Sequence, residues 1–226
     1  GYIYAINPNN GEIRWIYNVP GSYSNIIQTY TLTIDSDGTV YFATSSYNST
    51  PSYIYAINPD GTLKWRYQNP YGEEFLCFGA LTIANSLVAV DYSHVYYFPT
   101  SAAPTGTNPL YPFLGYDPGR TNYVPRKGSG VDKPSWILSG LNTRNGSRIV
   151  VDSDGTIYLL GQSYDYSTDL NDISLYAIKD GRIKWEYHLG LLNAHIANLL
   201  IGPYDTLYVV PVSYTHLRAH ETRHDI

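Results

Sequence analysis

The sequence predicts an all-β protein, a β-propeller of four-stranded antiparallel blades, with about five blade equivalents of about 40 residues each, several of them partial. Three observations predict it. Two hairpin phrases recur in a fixed order. Their turns carry Asp-Gly or Asn-Gly pairs, which tolerate positive φ. The repeat tryptophans Trp65 and Trp185 stand 120 residues apart, three units of about 40. A lone four-stranded sheet cannot bury both faces, so such units stack. Tyr, a strand-favouring residue, occurs 25 times in 226 residues, which fits.

The first phrase is Tyr-Ile-Tyr-Ala-Ile-Asn-Pro-Asn-Asn-Gly-Glu-Ile-Arg-Trp from Tyr2 to Trp15. It returns from Tyr53 to Trp65 and from Leu175 to Trp185. Leu63, Trp65 and Tyr67 alternate with Lys64 and Arg66, and Ile183, Trp185 and Tyr187 alternate with Lys184 and Glu186. Period two with one apolar face is a half-buried strand. The turns lie at Asn10-Gly11, Asp60-Gly61 and Asp180-Gly181, and the turn loses one residue from copy to copy, from Ala5–Trp15 to Ala56–Trp65 to Ala177–Trp185. The second phrase, Thr33–Phe42, matches Val150–Leu159 and turns at Asp37-Gly38 and Asp154-Gly155. Leu200–Val209 is a weaker third copy.

The string Ala5-Ile-Asn7-Pro-Asn-Asn10-Gly11-Glu-Ile-Arg-Trp15 resembles the tryptophan-docking motif Ala-x-Asp-x-x-Thr-Gly-x-x-x-Trp. That motif marks the quinoprotein-like, or pyrroloquinoline quinone (PQQ)-like, β-propeller repeat. Asn stands for Asp at position 7 and for Thr at position 10, while Ala, Gly and Trp match in register. The resemblance covers most of residues 1–211. It implies that Trp15, Trp65, Trp136 and Trp185 lock neighbouring blades, with Gly11, Gly61 and Gly181 in the docking turns.

Tyr111–Pro125 is similar to the segment that opens many such propellers, and Pro99–Pro109 has the composition of a linker. Residues 1–100 are therefore expected to be the last blades of one propeller. Residues 101–110 are expected to be a linker, and 111–211 the first blades of a second propeller. The alternative is one propeller with an insertion at 99–130. Trp65 to Trp136 is 71 residues, one blade plus about 30.

Residues 212–226 resemble a translated sequencing adapter and are set aside from the fold. Their His216, His220 and His224 sit at i, i+4, i+8 and imitate a helical metal face. The resemblance points to a draft or metagenomic assembly and a reading frame cut at its C-terminal end. The chain opens at Gly1 rather than Met, so the lack of a leader is uninformative.

A net charge of −5 without a basic patch argues against nucleic acid as partner. No apolar run approaches about 20 residues, so no transmembrane helix is expected. Cys77 stands alone, which excludes an intramolecular disulfide and any multi-cysteine metal site. In an apolar strand it reads as a buried, inert thiol.

PQQ-dependent dehydrogenases resemble this chain in their repeats, and the family's enzymes use a catalytic carboxylate, bound Ca²⁺ and often a vicinal disulfide. One cysteine cannot form that disulfide, and no ligand pattern stands outside the turns. Asp35-Ser-Asp37-Gly38 and Asp152-Ser-Asp154-Gly155 invite a calcium-loop reading. Its first and last positions would fall on Thr33 and Thr44, or Val150 and Gly161, where Asp and Glu are needed. They read as turns whose Asp caps its own backbone. His94, His188 and His195 are scattered, without metal spacing. Asp117 and Arg120 read as a salt bridge. Tyr23, Tyr30, Tyr47, Tyr71, Tyr164 and Tyr166 lie in or beside loops, where aromatics pack or stack on sugars. Asn48-Ser-Thr50 and Asn145-Gly-Ser147 are glycosylation sequons.

The expected function is a non-catalytic PQQ-like propeller scaffold or binding module in an extracytoplasmic space. Catalytic, cofactor and metal residues are expected to be absent, and the protein or glycan partner is unidentified. The alternatives are a fragment of a PQQ-dependent dehydrogenase, a propeller of the outer-membrane assembly type, and a carbohydrate-binding surface propeller.

Overall fold

The structure is a computed structural model. It describes residues 1–20, 25–27, 32–46, 51–73, 75, 77–82, 86–99, 128–143, 147–152, 154–193, 195–202 and 206–212. The expected linker at 101–110, the opening segment with Asp117 and Arg120, and Tyr23, Tyr30 and Tyr47 lie outside these residues. So do Asn48 and Asn145 of the sequons and residues 213–226 of the adapter-like tail.

The described residues form strands, turns and loops without helices, so no helix among them is long and apolar enough to cross a membrane. Five antiparallel sheets follow one another. The first pairs β1 (Tyr2–Ile6) with β2 (Ile13–Asn18). The second runs β3 (Asn25–Ile27), β5 (Val40–Ser46), β6 (Tyr53–Ile57), β7 (Leu63–Gln68), with β4 (Thr33–Ile34) also on β5. The third runs β8 (Cys77–Thr82), β9 (Ser86–Val90), β10 (Val95–Pro99), β11 (Trp136–Leu138). The fourth runs β12 (Ser147–Val151), β13 (Ile157–Asp165), β14 (Leu170–Lys179), β15 (Arg182–Leu192). The fifth pairs β16 (His195–Gly202) with β17 (Thr206–Val212).

Successive sheets meet along neighbouring strands: β4 lies beside β8, β8 beside β12, and β12 beside β16. Three clusters fill the spaces between sheets. Ile3, Trp15 and Tyr17 meet Phe42, Tyr55 and Ile57 between the first two sheets. Tyr41, Ile54 and Trp65 join Val95, Phe98, Ile149 and Tyr176 across the second, third and fourth. Leu160, Ile173 and Leu175 meet Leu199 and Ile201 between the fourth and fifth. Period-two side chains make this possible, since Tyr41 and Phe42 point to opposite faces and both are fully buried. The row is not closed, because β1–β2 and β16–β17 each stand as a two-stranded sheet.

The recurring hairpin folds the same way each time. Ala5 pairs with Trp15, Ala56 with Trp65 and Ala177 with Trp185, and a β-bulge follows each alanine. A bulge changes local twist and re-aims the neighbouring side chain. Asp180 and Gly181 have φ of 52° and 72°, the two positive values of a tight type I′ turn.

The third sheet crosses the interval where two propellers were expected to meet. Its fourth strand, β11, pairs with β10 through Tyr97 and Trp136, although 100–127 separates them in sequence. Tyr97 therefore occupies the register position that Ala5, Ala56 and Ala177 hold elsewhere.

Candidate functional site

The tryptophans are placed by their strands. Trp15 leaves β2 toward the β6–β7 turn of the next sheet, and its indole N–H donates to Pro59 O at 2.8 Å. A Cβ on Gly61 would lie 2.7 Å from Trp15 Cγ, so the ring rests directly on that glycine. Trp136 rests likewise over Gly181 in the β14–β15 turn, where a Cβ would lie 3.2 Å from Trp136 Cγ.

Trp65 meets the third sheet differently. It is 7% exposed, stacks on Phe98 with ring centroids 5.7 Å apart, and donates to Ser129 O at 3.2 Å. The segment before β11 thus does for Trp65 what the Pro59–Gly61 turn does for Trp15. Gly128 N donates to Asp35 Oδ2 at 2.9 Å, and Ser129 Oγ donates to Pro99 O at 2.9 Å. Burial and the Asp35 carboxylate push the Tyr41 hydroxyl well above its usual range. That hydroxyl lies 3.1 Å from both Asp35 Oδ2 and Ser129 O.

Two of the expected docking residues are uncovered. Trp185 is 41% exposed, and no atom lies within 4 Å of where a Cβ on Gly11 would sit.

In each Asp-Ser-Asp-Gly turn one carboxylate oxygen caps the turn's own backbone. Asp35 Oδ1 accepts from Asp37 N and Thr39 N at 3.0 and 2.8 Å. Asp154 Oδ1 accepts from Thr156 N at 2.8 Å, and its Oδ2 meets Lys179 Nζ at 2.8 Å. Burial pushes the Asp154 carboxyl up, but the hydrogen bonds from Lys179 and Thr156 outweigh it and hold it at about 2.

One cluster joins groups that sequence spacing kept apart. Glu73, just past β7, meets Asp91 and His94 of the β9–β10 loop in the next sheet, with ligand atoms all within 4.8 Å of one another. His94 Nδ1 lies 2.9 Å from Asp91 Oδ1 and 3.4 Å from Glu73 Oε2. Ser93 Oγ lies 3.1 Å from Glu73 Oε2 and 3.2 Å from His94 Nδ1.

Asp91 is fully buried and fixed on every side. Oδ1 accepts from Ser93 N and His94 N at 3.0 and 2.7 Å, and Oδ2 from Asn69 Nδ2 and Tyr96 Oη at 2.9 and 2.5 Å. Burial pushes the Asp91 carboxyl up, but these bonds, from Tyr96 first, hold it below its ordinary value. Glu73 moves the other way, raised by burial and by the neighbouring Asp91. The Tyr71 ring lies flat on the His94 ring, 3.9 Å away and within 3° of parallel.

Both Asp91 and Ser93 address the same imidazole nitrogen. A nucleophile relay needs the carboxylate on one ring nitrogen and the hydroxyl on the other, so this is not a catalytic triad. What the group can do is hold a cation or a proton between two carboxylates. Sequence spacing missed it because Glu73 arrives from another sheet. The one available signal is that His94 sits in register with Tyr2, Tyr53 and Ser174 of the other hairpins.

The remaining candidates are dispersed. His188 is half exposed, and its Nδ1 lies 3.3 Å from Asp172 Oδ1. Cys77 opens β8, and His195 opens β16. Tyr164, near the end of β13, and Tyr166, in the β13–β14 loop, form an edge-to-face pair 5.0 Å apart, with Tyr166 90% exposed.

No family model matches the chain, and no curated protein matches it. The chain is similar to a solved structure of a protein of unknown function from Bacteroides caccae. The two are 12% identical, with a TM-score of 0.35, over 94% of this chain and 80% of that one. At that score the likeness carries no argument about fold or function.

Proposed function

We propose that the chain is a PQQ-like β-propeller repeat array that serves as a non-catalytic, extracytoplasmic scaffold or binding module. The observation that carries this reading is the repeated junction: Trp15 over Gly61, Trp65 against Phe98 and Ser129, Trp136 over Gly181. The contacts of β4 with β8, β8 with β12 and β12 with β16 support it too. The pairing of Tyr97 with Trp136 favours one continuous row, with the segment between β10 and β11 as an insertion in a hairpin turn. The Asp35 and Asp154 carboxylates are taken up by turn backbone, by Tyr41 and Gly128, and by Lys179, which favours scaffold over enzyme.

The test is PQQ titration followed by absorbance, together with PQQ- and calcium-dependent dye reduction by the protein. The reading expects neither binding nor turnover. Saturable PQQ binding with dye reduction would move the dehydrogenase alternative to first place. The exposed Tyr166, beside the half-buried Tyr164, favours a glycan as the bound partner, since aromatic faces stack on sugar rings. A glycan array tests that, with Tyr166→Ala expected to abolish any binding found.

A further inference from the structure

We propose that Glu73, Asp91 and His94 form a binding site for one Zn²⁺ at the junction of the second and third sheets. Tetrahedral zinc with bonds of about 2.0–2.2 Å spaces its ligand atoms about 3.3–3.5 Å apart. Here His94 Nδ1 lies 2.9 Å from Asp91 Oδ1 and 3.4 Å from Glu73 Oε2. Ser93 Oγ stands 3.2 Å from the nitrogen and 3.1 Å from the Glu73 oxygen. The Glu73 oxygen and His94 Nδ1 thus already stand one tetrahedral edge apart, and all three ligand atoms lie within 4.8 Å of one another. Small outward shifts of Glu73, whose side chain is 30% exposed, open the centre.

The charge fits as well. Two carboxylates and one neutral imidazole neutralise a divalent ion, and the mixture of nitrogen and oxygen selects zinc over magnesium or calcium. Zinc takes the Nδ1 lone pair of the neutral ring, and the ring proton then stands on Nε2. The surroundings hold the ligands still. Asn69, Tyr96 and two backbone N–H groups fix the Asp91 carboxylate, and the stacked Tyr71 ring fixes the plane of His94. Such supporting contacts are worth 10- to 100-fold in metal affinity. The cluster is also specific to one sheet, since the positions in register with His94 hold Tyr2, Tyr53 and Ser174. Ligands that break a repeat's own pattern mark a site with its own task.

The experiment is a calorimetric Zn²⁺ titration of the full 226-residue chain in metal-free buffer, repeated with Mg²⁺. Three variants accompany it: Glu73→Gln, His94→Gln, and the tail variant with His216, His220 and His224 all changed to Gln. Circular dichroism verifies that each is folded, and the partly exposed Glu73→Gln keeps the test open if His94→Gln is not. One Zn²⁺ per chain is expected in the wild type and the tail variant. Affinity should fall at least tenfold in Glu73→Gln and further in His94→Gln, and Mg²⁺ should not compete. Absence of stoichiometric binding, unchanged affinity in Glu73→Gln, or loss of binding in the tail variant would each overturn the assignment.

Discussion

Tyr97 and Trp136 face each other across β10 and β11 with their rings stacked 5.0 Å apart and within 5° of parallel. In the other three hairpins the residue opposite the tryptophan is alanine. The third sheet therefore adds a second ring to a position where the repeat leaves room. Stacked aromatic pairs contribute about 0.5–1.5 kcal/mol beyond their burial. A double-mutant cycle of Tyr97→Ala and Trp136→Ala, read by urea unfolding, should give a coupling of that size. Strict additivity would mean that the two rings act independently.

The glycines of the docking turns should respond unequally to one methyl group. Gly61→Ala places a Cβ 2.7 Å from Trp15 at a φ of 87°, so overpacking of about 1–3 kcal/mol adds to the left-handed strain. Gly11→Ala meets open space at a φ of 73° and should cost only the strain, about 1–2 kcal/mol. Unfolding midpoints in urea measure the difference. Equal losses would show that the Trp15 ring yields freely.

The tryptophans themselves should divide in the same way. Trp65→Ala empties a packed space between two sheets and should destabilise by about 3–5 kcal/mol. Trp185→Ala removes a ring that is 41% exposed and should cost about 1 kcal/mol or less. Thermal or urea denaturation of the two variants checks the ranking.

Much of this architecture was legible in the sequence because it is local. The alternation in Leu63–Tyr67, the Asp-Gly turns, and the alanine–tryptophan register are all properties of single hairpins. The hairpin β10–β11 was not legible, for two reasons. Its alanine is replaced by Tyr97, and its strands are separated by the interval 100–127, so Trp136 read as the start of another unit. The Glu73–Asp91–His94 cluster was hidden because stacking of sheets assembles it. Periodicity within a strand carries no record of which residue of the next sheet arrives opposite.

Acid should act on the exposed Asp154–Lys179 pair within a defined window. The Asp154 carboxyl sits at about 2 when folded, below its ordinary value of 3.8. A depressed carboxyl contributes its stability above the unfolded value, and that contribution is lost as pH falls through the folded one. Asp154→Asn should therefore lower the urea midpoint slightly at pH 6, since the pair is half exposed. The gap to the wild type should close between about pH 4 and pH 2. A gap that persists at pH 2 would assign the loss to the turn rather than to the charge.

Tryptophans of one sheet lock onto the next, and indole N–H hydrogen exchange measures that lock. Each signal is assigned by its Trp→Phe variant. The Trp65 indole, buried and bonded to Ser129 O, should exchange slowest, and the Trp15 indole, bonded to Pro59 O, more slowly than that of the exposed Trp185. Equal, unprotected exchange at Trp15, Trp65 and Trp185 would contradict the interlocked row of sheets.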